Sequence, residues 1–285
     1  MITDKDLSME PIKKAMQLIE NLTSSGKRSS EKVFNDFLIL SACSYSNAFD
    51  HSHQEERERR YLEIIKEYEE KEVALFVEIL AAVNNAAINY WNRGEIKDVL
   101  GYLYIKGEYY KKSLGQFFTP DNIAHFMARI AGNDYKNLLE KREFISISEP
   151  TCGSGTMILA FCQMMLEDKI DYSNRLLVNA WDIDETCALM SYIQFSIYGV
   201  PAIVTHGEAL SQKAYSQWIT PAYFVNDFCG KQQRMKMIEA LKELMTVSNA
   251  EEVLTNEVSA ESEPLEINMQ NIREKFELQS LFEAG

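Results

Sequence analysis

Glu149-Pro150-Thr151-Cys152-Gly153-Ser154-Gly155-Thr156 decides how this chain is read. Strand-like Phe144-Ile145-Ser146-Ile147 runs into it. A helical pattern leaves it, with Met157, Leu159, Ala160, Phe161, Met164 and Met165. The order is strand, tight glycine turn, helix. In an open α/β sheet that turn lies at the carboxyl end of the first strand, where nucleotide-like cofactors bind. Gly153 and Gly155 let the backbone turn sharply and let a ligand approach it. The dinucleotide fingerprint needs a further glycine where Ile158 stands, and a phosphate-binding loop needs a lysine that Gly155-Thr156-Met157 lacks. The turn therefore suits an adenosine cofactor without a pyrophosphate.

Two acids support that reading. Glu149 opens the turn. Asp182 closes the next strand-like run, Leu176 to Trp181, with Ile183 beside it. A carboxylate there can accept hydrogen bonds from ribose hydroxyls.

Glu149 to Thr156 resembles the first motif of S-adenosylmethionine-dependent methyltransferases. Upstream, Gly115-Gln116-Phe117-Phe118-Thr119-Pro120 is similar to the Gly-Gln-aromatic-aromatic-Thr-Pro loop of adenine-specific DNA methyltransferases, above all the modification subunit of type I restriction systems. The resemblance covers about residues 98–210. It implies a Rossmann-like class I α/β methyltransferase sheet with S-adenosylmethionine as cofactor. Gln116, Phe118, Thr119, Pro120, Glu149, Thr151, Gly153, Ser154, Gly155, Asp182, Ile183 and Glu208 would hold it, Glu208 at the adenine amino group. It also implies DNA as substrate and a separate specificity-type subunit as partner.

The chain departs from the family in one motif. Members hold the flipped base with Asp/Asn/Ser-Pro-Pro-Tyr/Phe after the fourth strand, accepting the amine hydrogens and stacking the ring. Thr220-Pro221-Ala222-Tyr223, after Tyr215 to Ile219, is the nearest match; Asn226-Asp227-Phe228, after Ala222 to Val225, is the other. In the first register Thr220, Pro221 and Tyr223 are the candidate catalytic residues, Thr220 orienting the amine and Tyr223 stacking the base. Losing a well-placed acceptor in a transition state costs a few kcal/mol. Two readings follow: an adenine-N6 DNA methyltransferase, or a non-catalytic homologue serving as a cofactor-binding or DNA-binding subunit or regulator. A small-molecule enzyme would leave the Gly115–Pro120 loop unexplained.

The 285 residues allow one large domain or two small ones, and 46% hydrophobic content allows a sizeable core. No uninterrupted apolar run reaches the roughly 18 residues of a membrane span. The amino terminus carries no secretory pattern. Five cysteines without a Cys-x-x-Cys pair suggest a reduced, cytoplasmic protein without zinc. His51 and His53 flank Ser52 without completing a metal set, and a solvated loop explains them.

The net charge of −14 is awkward for a DNA-binding chain. Much of it is local: nine glutamates from Glu251 onward face Arg273 and Lys275. Lys106, Lys111 and Lys112 are the best phosphate candidates, so another chain is expected to supply much of the positive surface.

The expected organisation is a helical domain over 1–110, a methyltransferase-like α/β domain over 111–248 and an acidic, flexible tail over 249–285. The helices run over Pro11–Leu22, Val33–Phe49, Glu55–Glu70 and Val73–Trp91. After Asp121–Ile130 the strand-helix alternation begins at Phe144, implying a parallel sheet. Asp184 caps the helix after the second strand, and Gly199 ends it. Four strands ending near residue 225 make the sheet shortened. Asn271–Phe282 could form a short docking helix.

Overall fold

The computed structural model describes residues 10–24, 26–109 and 119–256, with 243–256 as backbone alone. Residues 1–9, Lys111, Lys112, Gly115 to Phe118 and the expected helix over Asn271–Phe282 lie outside the described residues. The chain divides into two units, Met1–Gln233 and Arg234–Gly285.

Among the described residues the first unit opens with five α-helices: α1 (Glu10–Thr23), α2 (Ser30–Asn47), α3 (Gln54–Ile65), α4 (Glu70–Trp91) and α5 (Val99–Lys106). In α1, Ile12, Ala15, Ile19 and Leu22 recur at helical spacing and are buried. Ser29 caps α2, its hydroxyl accepting from Lys32 N at 3.2 Å. Glu69 and Glu72 form a capping box at the start of α4. By length and composition α4 could cross a membrane. Here Phe76, Ile79, Val83, Ala87 and Tyr90 of α4 are buried in the core, and α1 packs along the helix.

Next come α6 (Asp121–Ala131) and α7 (Tyr135–Lys141), then β1 (Ile145–Glu149), α8 (Thr156–Glu167), α9 (Tyr172–Arg175), β2 (Leu176–Asp182), α10 (Glu185–Ile197), β3 (Ala202–Glu208), β4 (Lys213–Ile219), α11 (Pro221–Val225) and α12 (Phe228–Asn256). The strand order is β1-β2-β3-β4. β1, β2 and β3 are parallel, with Glu149 opposite Ala180 and Asp182 opposite His206.

β4 departs from the expected parallel sheet. It runs antiparallel to β3, pairing Glu208 with Lys213 and Ile203 with Ile219. The physical reason is the connection: residues 209–212 are too few for a crossover helix, so the chain returns as a hairpin. Gln212 takes φ 55° in the turn, and a register shift falls between His206 and Gly207. The alternative strand over Ala222–Val225 is α11.

One face of the sheet carries Ile145, Val178, Ala180, Val204 and Trp218, all buried with the helices in one core. Burying each such side chain contributes about 1.5–3 kcal/mol. α2 packs on α10. Arg60 of α3 grips Glu185 of α10 with two bonds of 2.7 and 2.9 Å. Arg57 sits over the Trp218 ring at 4.4 Å and donates to Asp50 at 2.7 Å and to Gln217 O at 2.5 Å. The second face is covered near the strand starts by α11 and the first turn of α12, where Phe144 meets Phe228 at 5.3 Å.

In the second unit α12 continues from Arg234 to Asn256, into the stretch expected to be flexible; residues 257–285 lie outside the described residues.

Candidate functional site

The parallel strands deliver Glu149, Asp182 and Glu208 to one end of the sheet, at the carboxyl ends of β1, β2 and β3. Adjacent strands lie about 4.8 Å apart, so the three positions span about 10 Å.

The glycine turn is held from several sides. Cys152 N donates to Trp181 O at 2.8 Å, and Gly153 N donates to Asp182 Oδ2 at 2.8 Å. Asp182 Oδ1 accepts from Asp184 N at 2.9 Å. The carboxylate is thus aimed by two backbone amides, one from the turn and one from the segment that starts α10. Burial pushes the Asp182 carboxyl above the ordinary aspartate value, against those two hydrogen bonds. Gly155 precedes α8 at φ 97°, and a Cβ there would meet Phe195 Cε1 at 2.7 Å. Both facts require glycine.

A polar cluster below the turn fixes its remaining groups. Asp98 caps α5, accepting from Gly101 N at 2.7 Å. The same carboxylate accepts from Thr156 Oγ1 at 2.6 Å, from the Ser154 hydroxyl and from Gln194 Nε2 at 2.8 Å. Gln194 also donates to Ser154 O at 2.7 Å and accepts from Leu100 N at 3.1 Å. Ser191, one turn earlier on α10, donates to Gly153 O at 2.8 Å. Gly101 leaves room for this cluster, since a Cβ would lie 2.3 Å from Asp98 Oδ2.

Around the turn, Thr151 donates its amide and hydroxyl to Glu149 Oε1 at 3.2 and 3.3 Å. Ile183 stands largely exposed just past Asp182. Glu208 Oε2 accepts from Ser211 at 2.7 Å. Thr119 and Pro120 lead into α6. Asp121 beside them pairs with Lys97 at 2.7 Å, next to Asp98, which brings the start of α6 near the turn. Gln116 and Phe118 lie outside the described residues.

Thr220, Pro221 and Tyr223 are not brought to this crevice. β4 runs backward, so Thr220 emerges beside Ala202, where β3 starts. That is the opposite end of the sheet, about 20 Å from Glu208 by strand rise. Thr220 is fully buried. Its hydroxyl donates to Val200 O at 2.7 Å and accepts from Ala202 N at 2.8 Å, so it is occupied structurally. Tyr223 donates to Gln232 at 2.8 Å and stacks near Phe228. Asn226 of the other register donates to Ser173 O at 2.8 Å, also at that end.

The sequence reading missed Asp98, Ser191 and Gln194. Asp98 had a signal, an acid directly before the apolar run Val99-Leu100. Gln194 had a weaker one, an amide set between Ile193 and Phe195 on a buried helix.

The family model of the N-6 DNA methylase matches residues 96–238, half of the chain. A structure from Listeria monocytogenes, described as a class I S-adenosylmethionine-dependent methyltransferase, aligns with 15% identity and a TM-score of 0.36. The alignment covers 68% of this chain and 52% of that one, so the chain spans about half the length of that relative. No curated protein matches the chain. The family match spans α5, the glycine turn, all four strands and the cluster beneath them, and the chain belongs to the N-6 DNA methylase family.

Proposed function

We propose that the chain binds S-adenosylmethionine at the carboxyl ends of β1, β2 and β3 and serves adenine-N6 methylation of DNA, in the manner of a type I modification subunit. The observation that carries this is the Asp182 carboxylate, aimed by the Gly153 and Asp184 amides over a glycine turn that tolerates no side chain at Gly155. The residues present fit the cofactor. Asp182 keeps lone pairs for the ribose hydroxyls, the exposed Ile183 offers an apolar surface to the adenine, and Glu208 can accept from its amino group. Gln116, Phe118, Thr119, Pro120, Glu149, Thr151 and Ser154 complete the proposed set. When bound, S-adenosylmethionine supplies the methyl group. The chain's own part is to hold the donor, orient it and keep the turn rigid.

The base-holding part is a separate matter. Thr220 and Tyr223 stand at the far end of the sheet, which favours a second reading: a cofactor-binding subunit that needs other residues for transfer. Four of the five cysteines are buried free thiols, in keeping with a cytoplasmic setting. The net charge of −14 supports a DNA complex in which a partner, such as a specificity subunit, supplies positive surface.

Calorimetric titration with S-adenosylmethionine tests the reading, with Asp182→Ala as control. Binding near micromolar, about −8 kcal/mol, is expected for the native chain. A loss of tenfold or more is expected in the variant. Equal binding by both would refute the crevice assignment.

A further inference from the structure

His206 stands directly beside Asp182. The two are Cα partners in the parallel ladder of β2 and β3. Two residues earlier on each strand, Ala180 and Val204 are partners and both lie in the core. Side chains alternate along a strand, so Asp182 and His206 leave that same face at its carboxyl end. Two further elements fix the half-buried ring. Glu185, the first residue of α10, has Oε1 4.0 Å from His206 Nδ1. Tyr215 of β4 meets the ring edge-on at 5.1 Å.

The two carboxylates beside the ring are not equally provided for. Both oxygens of Glu185 already accept from Arg60 of α3, at 2.7 and 2.9 Å. Burial would raise the Glu185 carboxyl, yet the Arg60 bonds, with His206 behind them, hold it below the ordinary glutamate value. Asp182 holds two backbone amides instead. Burial pushes its carboxyl up and the charge of Asp184, just ahead of α10, adds to the push; the amides and His206 act against them. The other charges at this end are on the hairpin, where Glu208 of β3 pairs in register with Lys213 of β4, and the Lys213 ammonium lies 5.5 Å over the Tyr215 ring.

A protonated Asp182 would give up an acceptor, and the ribose hydroxyls need acceptors. We infer that His206 is a positioning residue of the methyl-donor site: its imidazole, steered by Glu185 and Tyr215, supplies the positive charge that keeps Asp182 a carboxylate, with its lone pairs open to the ribose. The inference rests on the crevice being the S-adenosylmethionine site. Arg60 has a part in it, because by answering Glu185 it leaves the charge of His206 to Asp182.

The test follows Asp182 itself. Carbon-13 carboxyl NMR of the full chain, without cofactor, reads the Asp182 titration in the native protein, in His206→Gln and in His206→Lys. An opposite charge within about 4–6 Å lowers a carboxyl by about 1–3 units. With the ring half-buried, His206→Gln should raise the Asp182 midpoint by at least about half a unit, and His206→Lys, which keeps the charge, should restore it. Tyr215→Leu, at an exposed position, frees the ring and should move the midpoint the same way by less. Calorimetric titration with S-adenosylmethionine from pH 5 to 8 should show the acid limb of affinity moved up by the same amount in His206→Gln, with about threefold weaker binding on that limb. The deficit should shrink above neutrality, as imidazoles lose their charge. S-adenosylhomocysteine, with the same ribose and no sulfonium charge, should show the same shift. An unmoved Asp182 midpoint in both His206→Gln and Tyr215→Leu, or a deficit in affinity that is equal at every pH, overturns the inference. Asp182→Ala separates the two readings. If it binds S-adenosylmethionine as the native chain does, the crevice assignment fails and the role of His206 with it. If it loses binding while the midpoint is unmoved in His206→Gln, the role of His206 fails and the crevice stands.

Discussion

Asp98→Ala is the perturbation that tests how the cofactor turn is held. Asp98 accepts four hydrogen bonds: Gly101 N, Thr156 Oγ1, Gln194 Nε2 and the Ser154 hydroxyl. Loss of the helix cap costs about 1 kcal/mol. Hydrogen bonds to a charged acceptor contribute about 1.5–3 kcal/mol each. Water can reach this half-buried site and the two hydroxyls can turn, so most of that sum is recovered. A net loss of about 3 kcal/mol remains. For a chain of this size that lowers the melting temperature by about 6–12 °C. Asp98→Asn keeps one acceptor for Gly101 N, and its amide can donate to a rotated hydroxyl. It should lose about half as much. Ser154 and Thr156 belong to the turn, so S-adenosylmethionine affinity should fall at least tenfold in Asp98→Ala. Thermal melting by circular dichroism and calorimetric titration read the two effects. If Asp98→Ala melts within about 2 °C of the native chain and binds as tightly, the cluster does not hold the turn.

Gly155→Ala forces φ 97° on a residue with a Cβ 2.7 Å from Phe195; urea unfolding should show a loss of about 2–3 kcal/mol. Burial alone would raise the Asp50 carboxyl pKa, but hydrogen bonds from Ser52, Arg57 and His53 hold it down to about 2. A depressed folded-state pKa gives stability that is present above the unfolded value near 4 and lost as pH falls through about 2. Asp50→Asn should therefore cost about 2 kcal/mol at neutral pH and flatten the stability profile between pH 4 and 2, as acid titration of the melting temperature will show. Thr220→Ala should lower stability by about 1–2 kcal/mol, because it strands Ala202 N and Val200 O, while leaving S-adenosylmethionine affinity unchanged. A selective loss of cofactor binding there would contradict its placement.

What the sequence revealed of this fold was local. Gly153 and Gly155 between an apolar strand and an apolar helix can be read from spacing, and so can the acids that end β1 and β2. Asp184 and Gly199 marked the ends of α10 through capping chemistry, Asp184 accepting from Thr186 N at 2.9 Å and Gly199 taking φ 67°. Strand direction was not legible. Lys213 to Ile219 is an equally good strand either way, and the four-residue connection before it carries no glycine pair to announce a hairpin. Tertiary placement then followed from that one reversal. Thr220-Pro221-Ala222-Tyr223 had suitable side chains, but its position depended on which way β4 ran. Asp98 and Gln194 escaped notice because they join segments 96 residues apart, a distance that periodicity cannot sense.

The second face of the sheet changes character along the strands. Pairing register puts Ser146, Ser148, Leu177, Asn179, Trp181, Ile203, Thr205, Gln217 and Ile219 on that face. Near the strand starts it is apolar, and Leu177 is buried under the same end that α11 and Phe228 cover. Toward the carboxyl ends Ser148, Asn179, Thr205 and Gln217 follow, with half-buried Trp181 among them. Gln217 Nε2 donates to the buried Thr205 hydroxyl at 3.4 Å, and an apolar layer laid over this end would cost about 1–3 kcal/mol for each polar group left unpaired. The alternation of β1 thus sets Ile145 in the core and half-buried Ile147 against it, while Ser146 and Ser148 stay exposed beside the glycine turn.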